Sequence, residues 1–291
     1  MKTSATVPTL YVVGTPLGNL EDISARALRV LGEVDLIAAE DTRHTLHLLT
    51  HFGITGKKLE SCFTHNEKAK TQGILKALQG GKSVALVTDA GMPGVSDPGS
   101  EVVQAVLGAG FSVVPIPGPS AAVTALAASG LPTARFLFVG FLAPKGGARR
   151  EALGKLKSEE ATLVFYESPR RLGECLKDML DVFGGRRAVV AREMTKLHEE
   201  FARGSLETLA ERYGIEEVLG EVTVLVEGAQ WVDRSGPERW VGVSIADQLR
   251  QMIQDQGLSK TEAVKVVAKL RDLPREVVYE IAKEVPVVNH P

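Results

Sequence analysis

The sequence predicts an α/β fold of two successive lobes followed by a small helical unit, and three observations carry that expectation. Short β-branched runs alternate with longer amphipathic stretches as far as Val226, the pattern of sheets covered by helices. Gly and Pro punctuate this alternation at Ser129-Gly130-Leu131-Pro132, a natural break between lobes. After Trp231 the chain turns linker-like at Asp233-Arg234-Ser235-Gly236-Pro237, and from there to Val285 only helical periodicity remains. The expected units are residues 1–129, 130–232 and 233–291.

In the first lobe, Leu10 to Val13, Asp35 to Ala39, Leu59 to Phe63, Ser83 to Val87 and Phe111 to Val114 read as strands, and helices between them make a mostly parallel sheet the expected arrangement. Ala121 to Ala128 is a helix of small residues with Ser120 placed as its N-cap. Strands resume at Phe136 to Val139, Thr162 to Tyr166, Arg187 to Ala191 and Glu221 to Val226. In the tail, Ser259-Lys260-Thr261-Glu262 fits a capping box and Pro274 opens the next helix. Two short helices there fit either a helix-turn-helix or a plain helical hairpin. Lys260, Lys265, Lys269, Arg271 and Arg275 offer cations to phosphate, offset by interleaved acidic residues.

Composition narrows the function. Met1 to Thr9 has no apolar signal-peptide core and no apolar run approaches the roughly 20 residues needed to cross a bilayer, so a cytoplasmic protein is expected. The two cysteines, Cys62 and Cys175, have neither disulfide nor metal-ligand spacing, and no metal site is expected. A formal charge of −2 gives no global attraction to nucleic acid.

Chemistry concentrates at the predicted strand ends, where open α/β sheets bind ligands. Val13 leads into Gly14-Thr15-Pro16-Leu17-Gly18-Asn19, Ala39 into Glu40-Asp41-Thr42-Arg43, Phe63 into Thr64-His65-Asn66-Glu67, and Tyr166 into Glu167-Ser168-Pro169-Arg170-Arg171. The first loop is not G-x-G-x-x-G, and Walker A is absent, which argues against nicotinamide and P-loop enzymes. The loop from Thr88 through Asp89-Ala90-Gly91 to Asp97-Pro98-Gly99 packs glycines, prolines and two aspartates together. Such constrained backbone lets a flat polar ligand approach the main chain. Pro117-Gly118-Pro119-Ser120-Ala121 offers a helix start to a ligand carboxylate or hydroxyl.

Taken together these motifs, in order from about Thr9 to Gly228, resemble the tetrapyrrole methylase superfamily, and within it the branch that methylates 16S ribosomal RNA on a cytidine ribose 2′-oxygen. The resemblance implies a homodimer of two-lobed subunits with S-adenosylmethionine between the lobes. It implies that Pro16, Asp89, Ala90, Gly91, Ser120, Ala121, Tyr166 and Glu167 bind that cofactor. Where porphyrin and corrin methylases read G-D-P this chain has Gly91-Met92-Pro93, which favours RNA, in the form of 16S RNA or the 30S subunit, over a tetrapyrrole as acceptor. A small-molecule tetrapyrrole methyltransferase and a non-catalytic RNA-binding scaffold are the alternatives.

A ribose hydroxyl needs a proton acceptor. Glu40, Asp41, His65 and Glu67 are the favoured candidates, with Glu193 also on the strand edge and Lys196 or Arg192 available for phosphate or oxyanion. Glu40 or Asp41 also suits a helix cap, and His44, His47 and His51 fit a solvated face. For RNA, the basic loop Lys145-Gly146-Gly147-Ala148-Arg149-Arg150 and the pair Arg170-Arg171 are candidates, with Lys155 and Lys157 following the loop.

Overall fold

Five strands form the first sheet: β1 (Thr9–Val13), β2 (Leu36–Ala39), β3 (Lys58–Ser61), β4 (Val84–Val87) and β5 (Ser112–Ile116). They run in the order β3-β2-β4-β1-β5, all parallel, in a computed structural model that describes residues 7–63, 66–216, 218–229, 242–256 and 258–285. The apolar runs Leu36-Ile37-Ala38-Ala39 and Val84-Ala85-Leu86-Val87 are buried at every position, as central strands covered on both faces must be. Alternation assigns the faces. Ile37, Ala39, Ala85 and Val87 pack beneath α1 (Ala25–Glu33) and α2 (Thr42–His51), whereas Leu36, Ala38, Val84 and Leu86 pack beneath α3 (Glu67–Gln79) and α4 (Ser100–Gly108). Parallel pairing brings every strand C-terminus to one edge, where the motif loops follow.

The second sheet comprises β6 (Phe136–Phe141), β7 (Thr162–Glu167), β8 (Arg187–Arg192), β9 (Glu200–Ser205) and β10 (Val222–Val226), in the order β6-β7-β10-β8-β9. Only β6 and β7 pair in parallel; β7–β10, β10–β8 and β8–β9 are antiparallel. The parallel arrangement read from the alternation therefore holds for the first sheet only. Strand β9 was not expected, because Glu200-Phe201-Ala202-Arg203-Gly204-Ser205 is an edge strand that buries little beyond Ala202. Helices α6 (Gly146–Lys155), α7 (Leu172–Phe183) and α8 (Leu206–Tyr213) supply the core on one face of this sheet.

Helix α5 (Ala121–Ser129) covers the other face, through Ala122, Ala125 and Leu126 against Val164, Val189 and Leu225. A lobe boundary at residue 129 thus cuts off a helix that belongs, by packing, to the second sheet. Ser120 occupies the N-cap position of α5 but makes no side-chain cap bond. Residues 1–229 form one contact unit that contains both sheets.

Residues 230–291 form the other unit. Its described helices are α9 (Ile245–Gln256), α10 (Lys260–Leu270) and α11 (Arg275–Lys283), packed around Leu249, Met252, Val264, Val267 and Val278. The Ser259/Glu262 capping box forms, and Pro274 stands immediately before α11. Arg271 donates to Gln248 Oε1 and to the Val243 carbonyl, each at 2.6 Å, which ties it within the unit. Among the described residues no helix is long and apolar enough to cross a membrane.

Candidate active site

Glycine makes the convergence of the loops possible. A Cβ on Gly14 would lie 2.7 Å from the Gly118 Cα and 2.7 Å from the Met92 sulfur, so the loops after β1 and β5 meet only because both positions lack side chains. Thr15 and Gly91 then exchange backbone bonds: the Thr15 amide donates to Gly91 O at 2.9 Å and the Gly91 amide to Thr15 O at 3.1 Å. Gly91 adopts φ +83°, which this junction requires. The ends of β2 and β4 are tied reciprocally, with the Asp89 amide donating to Glu40 Oε2 at 3.3 Å and the Asp41 amide to Asp89 Oδ1 at 3.1 Å. Further along the loop Ser96 has φ +64°, left-handed backbone at a non-glycine residue.

These loops enclose a cavity of about 380 Å³, in the range of small-molecule sites. Asp89, Ala90, Gly91, Ser120 and Ala121 line it from the first-sheet loops and α5; Tyr166 and Glu167 line it from β7. Leu17, Met92, Phe141 and Met194 give it an apolar wall. Pro16 is buried and lines a neighbouring cavity of about 520 Å³ instead.

Carboxylates dominate the polar lining. Glu40, Asp89, Asp97, Glu167 and Glu221 all reach the wall. Burial, offset by the Asp89 amide and reinforced by Asp89 and Asp41, holds the Glu40 carboxyl above its ordinary range. Burial and the neighbouring charges of Glu40, Asp89 and Glu221 push Asp97 up to about 6. Glu167 is buried; its Oε1 accepts from the Ser168 amide at 2.6 Å and from Arg171 at 2.5 Å, while Oε2 has no hydrogen-bond partner among the described residues. Burial raises the Tyr166 phenol as well, partly offset by the Ala122 amide.

The candidate bases separate. Glu40 lies on the cavity wall. Asp41 caps α2, accepting from the Arg43 amide at 2.8 Å, and pairs with the Arg43 guanidinium, which holds its carboxyl far below the usual range. Glu67 is buried and its Oε1 accepts from the Gly99, Glu101 and Val102 amides at 2.9, 3.1 and 3.3 Å. It caps α4 and does not face the cavity. His65 lies outside the described residues. Glu193 accepts from the Glu221 amide and pairs with Lys196 at 2.9 Å; burial pushes its carboxyl up, but these partners outweigh burial and lower it. Arg192 is committed to Glu200 on β9. Sequence reasoning missed Asp97 as a candidate base, although an aspartate between Ser96 and Pro98 in the constrained loop was a usable signal.

The basic candidates divide too. Arg149 is buried and donates to Asp178 at 2.6 Å, so its guanidinium fastens α6 to α7 and is withheld from RNA. Arg150 pairs with the other Asp178 oxygen at 2.8 Å, and Arg171 is held by Glu167. Lys145 and Arg170 are exposed.

A family model described as tetrapyrrole (corrin/porphyrin) methylases matches residues 9–210. The chain belongs to this family. It is 46% identical over 275 residues to "Ribosomal RNA small subunit methyltransferase I" of Halalkalibacterium halodurans, with 94% of each chain covered. It is 48% identical over 221 residues to the protein of that name from Thermotoga maritima, covering 76% of this chain and 99% of the relative. In fold it resembles uroporphyrin-III C-methyltransferase of Thermus thermophilus, with a TM-score of 0.55 at 24% identity over 75% of this chain and 93% of that one. A cobalt precorrin-4 methyltransferase aligns with a TM-score of 0.58 at 16% identity, over 78% and 98% of the two chains.

Proposed function

We propose that this protein methylates a cytidine ribose 2′-hydroxyl of 16S ribosomal RNA with S-adenosylmethionine as donor. The coarser activity, S-adenosylmethionine-dependent methylation of small-subunit ribosomal RNA, rests on relatives above 40% identity that carry that name over nearly the whole chain. The single observation that carries the donor assignment is the carboxylate-rich cavity between the two sheets. A sulfonium cofactor bears net positive charge, and Glu40, Asp89, Asp97 and Glu221 suit it. Asp89, Ala90, Gly91, Ser120, Ala121, Tyr166 and Glu167 would hold it. When bound, it supplies a methyl group on positively charged sulfur: the ribose oxygen bonds to the methyl carbon, the carbon–sulfur bond breaks with its electron pair going to sulfur, and the hydroxyl proton passes to a carboxylate.

The protein aligns the partners and excludes water, which supplies much of the acceleration for such a displacement. Asp97 is the best proton acceptor, since a group titrating near 6 is largely ionised at neutral pH yet more basic than an ordinary carboxylate. Lys145 and Arg170 contact RNA phosphate. A homodimer is supported by Phe136, Leu137 and Phe141, exposed along the sheet-edge strand β6. A ribosomal substrate supports a cytoplasmic location.

The test is transfer of labelled methyl to purified 30S subunits, free 16S RNA and a tetrapyrrole precursor in parallel, with nuclease mapping. Label on a cytidine ribose supports the reading; label on a base or on the tetrapyrrole overturns it.

A further inference from the structure

Next to the donor cavity lies the second cavity, of about 520 Å³, and the two share Leu17, Asp89, Ala90 and Glu221 as a common wall. Its own lining differs in chemistry. Thr88 is buried, and its hydroxyl has no hydrogen-bond partner among the described residues. Lys196 enters from the loop between β8 and β9, bonded to Glu193 at 2.9 Å and Glu221 at 3.2 Å. That loop is strained: Glu193 and Thr195 both have positive φ, at 50° and 68°. The lysine stem packs where Gly18 has no side chain, since any Cβ there would strike it. His44 and His47 stand exposed on α2 at the cavity, with His44 Nδ1 3.9 Å from Asp89 Oδ1.

We infer that this second cavity receives the acceptor itself, one pyrimidine ribonucleotide turned out of the RNA, with Thr88, Lys196 and His47 as its contacts. The inference rests on the proposed ribose-methylating activity and adds the subsite. A reacting hydroxyl must come within about 3–3.5 Å of the transferred methyl, so the acceptor cavity must adjoin the donor cavity, and the four residues that line both mark where the two meet. Asp97 lies within electrostatic reach of Asp89 and Glu221, two of these four. The volume exceeds that of a single nucleotide and leaves room for flanking phosphate, toward which a lysine is suited. The Thr88 hydroxyl supplies a donor and an acceptor for a ribose or base edge. Imidazole rings offer a stacking surface to a base turned out of its stack.

The test compares wild type with His47→Trp, which fills the cavity from its rim, and Thr88→Val, which removes the hydroxyl at nearly constant shape. Methyl transfer to 30S subunits, calorimetric affinity for S-adenosylmethionine and the urea midpoint are measured for each. The expected result for His47→Trp is KM for the subunit raised at least about tenfold, with donor affinity within about twofold and an unchanged midpoint. Thr88→Val should lose about tenfold in kcat/KM, the loss expected of one buried hydrogen bond to substrate. Wild-type KM in His47→Trp, or a parallel loss of donor affinity in both variants, overturns the inference. Titration of the wild type, loaded with S-adenosylhomocysteine, with cytidine 5′-monophosphate separates the two readings, because the His47 ring proton signal reports binding without turnover. If the wild type methylates no 30S subunit, a His47 shift that Thr88→Val diminishes keeps the subsite while the activity falls. No shift in that case overturns both.

Discussion

Replacing Glu67 by alanine should loosen the donor site without removing any group from it. Gly99 occupies the N-cap of α4 and has no side chain to cap with, so the first turn depends on Glu67 reaching across from α3. One carboxylate oxygen accepts three amides there, those of Gly99 and Val102 fully buried. Each of these two orphaned buried donors costs about 1–3 kcal/mol, and the lost negative charge at a helix N-terminus adds a few tenths to one, so the loss is about 2–7 kcal/mol. That is a large share of an ordinary domain's 5–15 kcal/mol. Glu67→Gln keeps an acceptor oxygen in place and should lose about 1 kcal/mol. Urea unfolding followed by fluorescence should show a midpoint lowered by the order of 1 M for Glu67→Ala and by much less for Glu67→Gln. Because Gly99 closes the loop that carries Asp89 and Asp97, affinity for S-adenosylmethionine should fall in the alanine variant, while Glu67→Gln should methylate close to wild type. A Glu67→Gln protein with a normal midpoint and no methyl transfer would refute the cap and return Glu67 to the role of base.

Asp97 predicts a pH profile. A carboxyl raised to about 6 gains its charge as pH rises through that value, so kcat/KM should climb about tenfold per pH unit below 6 and level off above it. Asp97→Asn should abolish this limb and lower the plateau by about 10²–10⁴; an unaltered limb assigns the base elsewhere. Arg149→Ala leaves the buried Asp178 carboxylate with Arg150 alone and should cost about 1.5–3 kcal/mol in urea unfolding, whereas Lys145→Ala and Arg170→Ala should leave the midpoint alone and flatten the salt dependence of subunit binding. Normal stability with weakened RNA binding in Arg149→Ala would contradict the structural role. Gly14→Ala drives a methyl into Gly118 and Met92, and donor affinity should drop at least about tenfold; an unchanged calorimetric constant would mean the loops can part freely. A chain ending at Ala229 should keep donor affinity and lose subunit affinity, since the family match stops at residue 210 and both sheets lie in the first unit. Collapse of both constants together would make the C-terminal unit structural.

The first sheet was readable because β2 and β4, buried on both faces, appear as unbroken apolar runs, and the turns after them are fixed by Gly and Pro. Strand β9 carries the opposite pattern. Only Ala202 is buried, Arg203 is exposed and the other positions are partly buried, so no alternation marks it, and only pairing with β8 at register Arg187 to Arg192 makes it a strand. Helix α5 follows β5 in the chain, and nothing in its small apolar residues says which sheet will receive them; the fit of Ala122, Ala125 and Leu126 against β7, β8 and β10 decides it.

The same division runs through the site. The loops that bound the proposed donor cavity are local features, legible wherever Gly and Pro restrict the backbone, which is why the stretches Thr88 to Gly99 and Pro117 to Ala121 stood out in the sequence, while the roles of Asp89, Ala90, Gly91 and Ser120 came from the family resemblance. The role of a carboxylate is set by what meets it from elsewhere. Glu67 becomes a cap because Gly99, 32 residues on, presents bare amides to it. Asp41 is neutralised by an arginine two residues away. Asp97 becomes basic first because it is buried and then because Glu40, Asp89 and Glu221, distant in sequence, bring their charges around it. Since like charges in a low-dielectric pocket repel most strongly when no cation is present, a cationic donor should itself lower the Asp97 carboxyl toward the ordinary range. The acid limb of kcat should therefore lie below that of kcat/KM for S-adenosylmethionine, because the former reports the donor complex and the latter the donor-free enzyme. Coincident limbs would place Asp97 out of reach of the sulfonium.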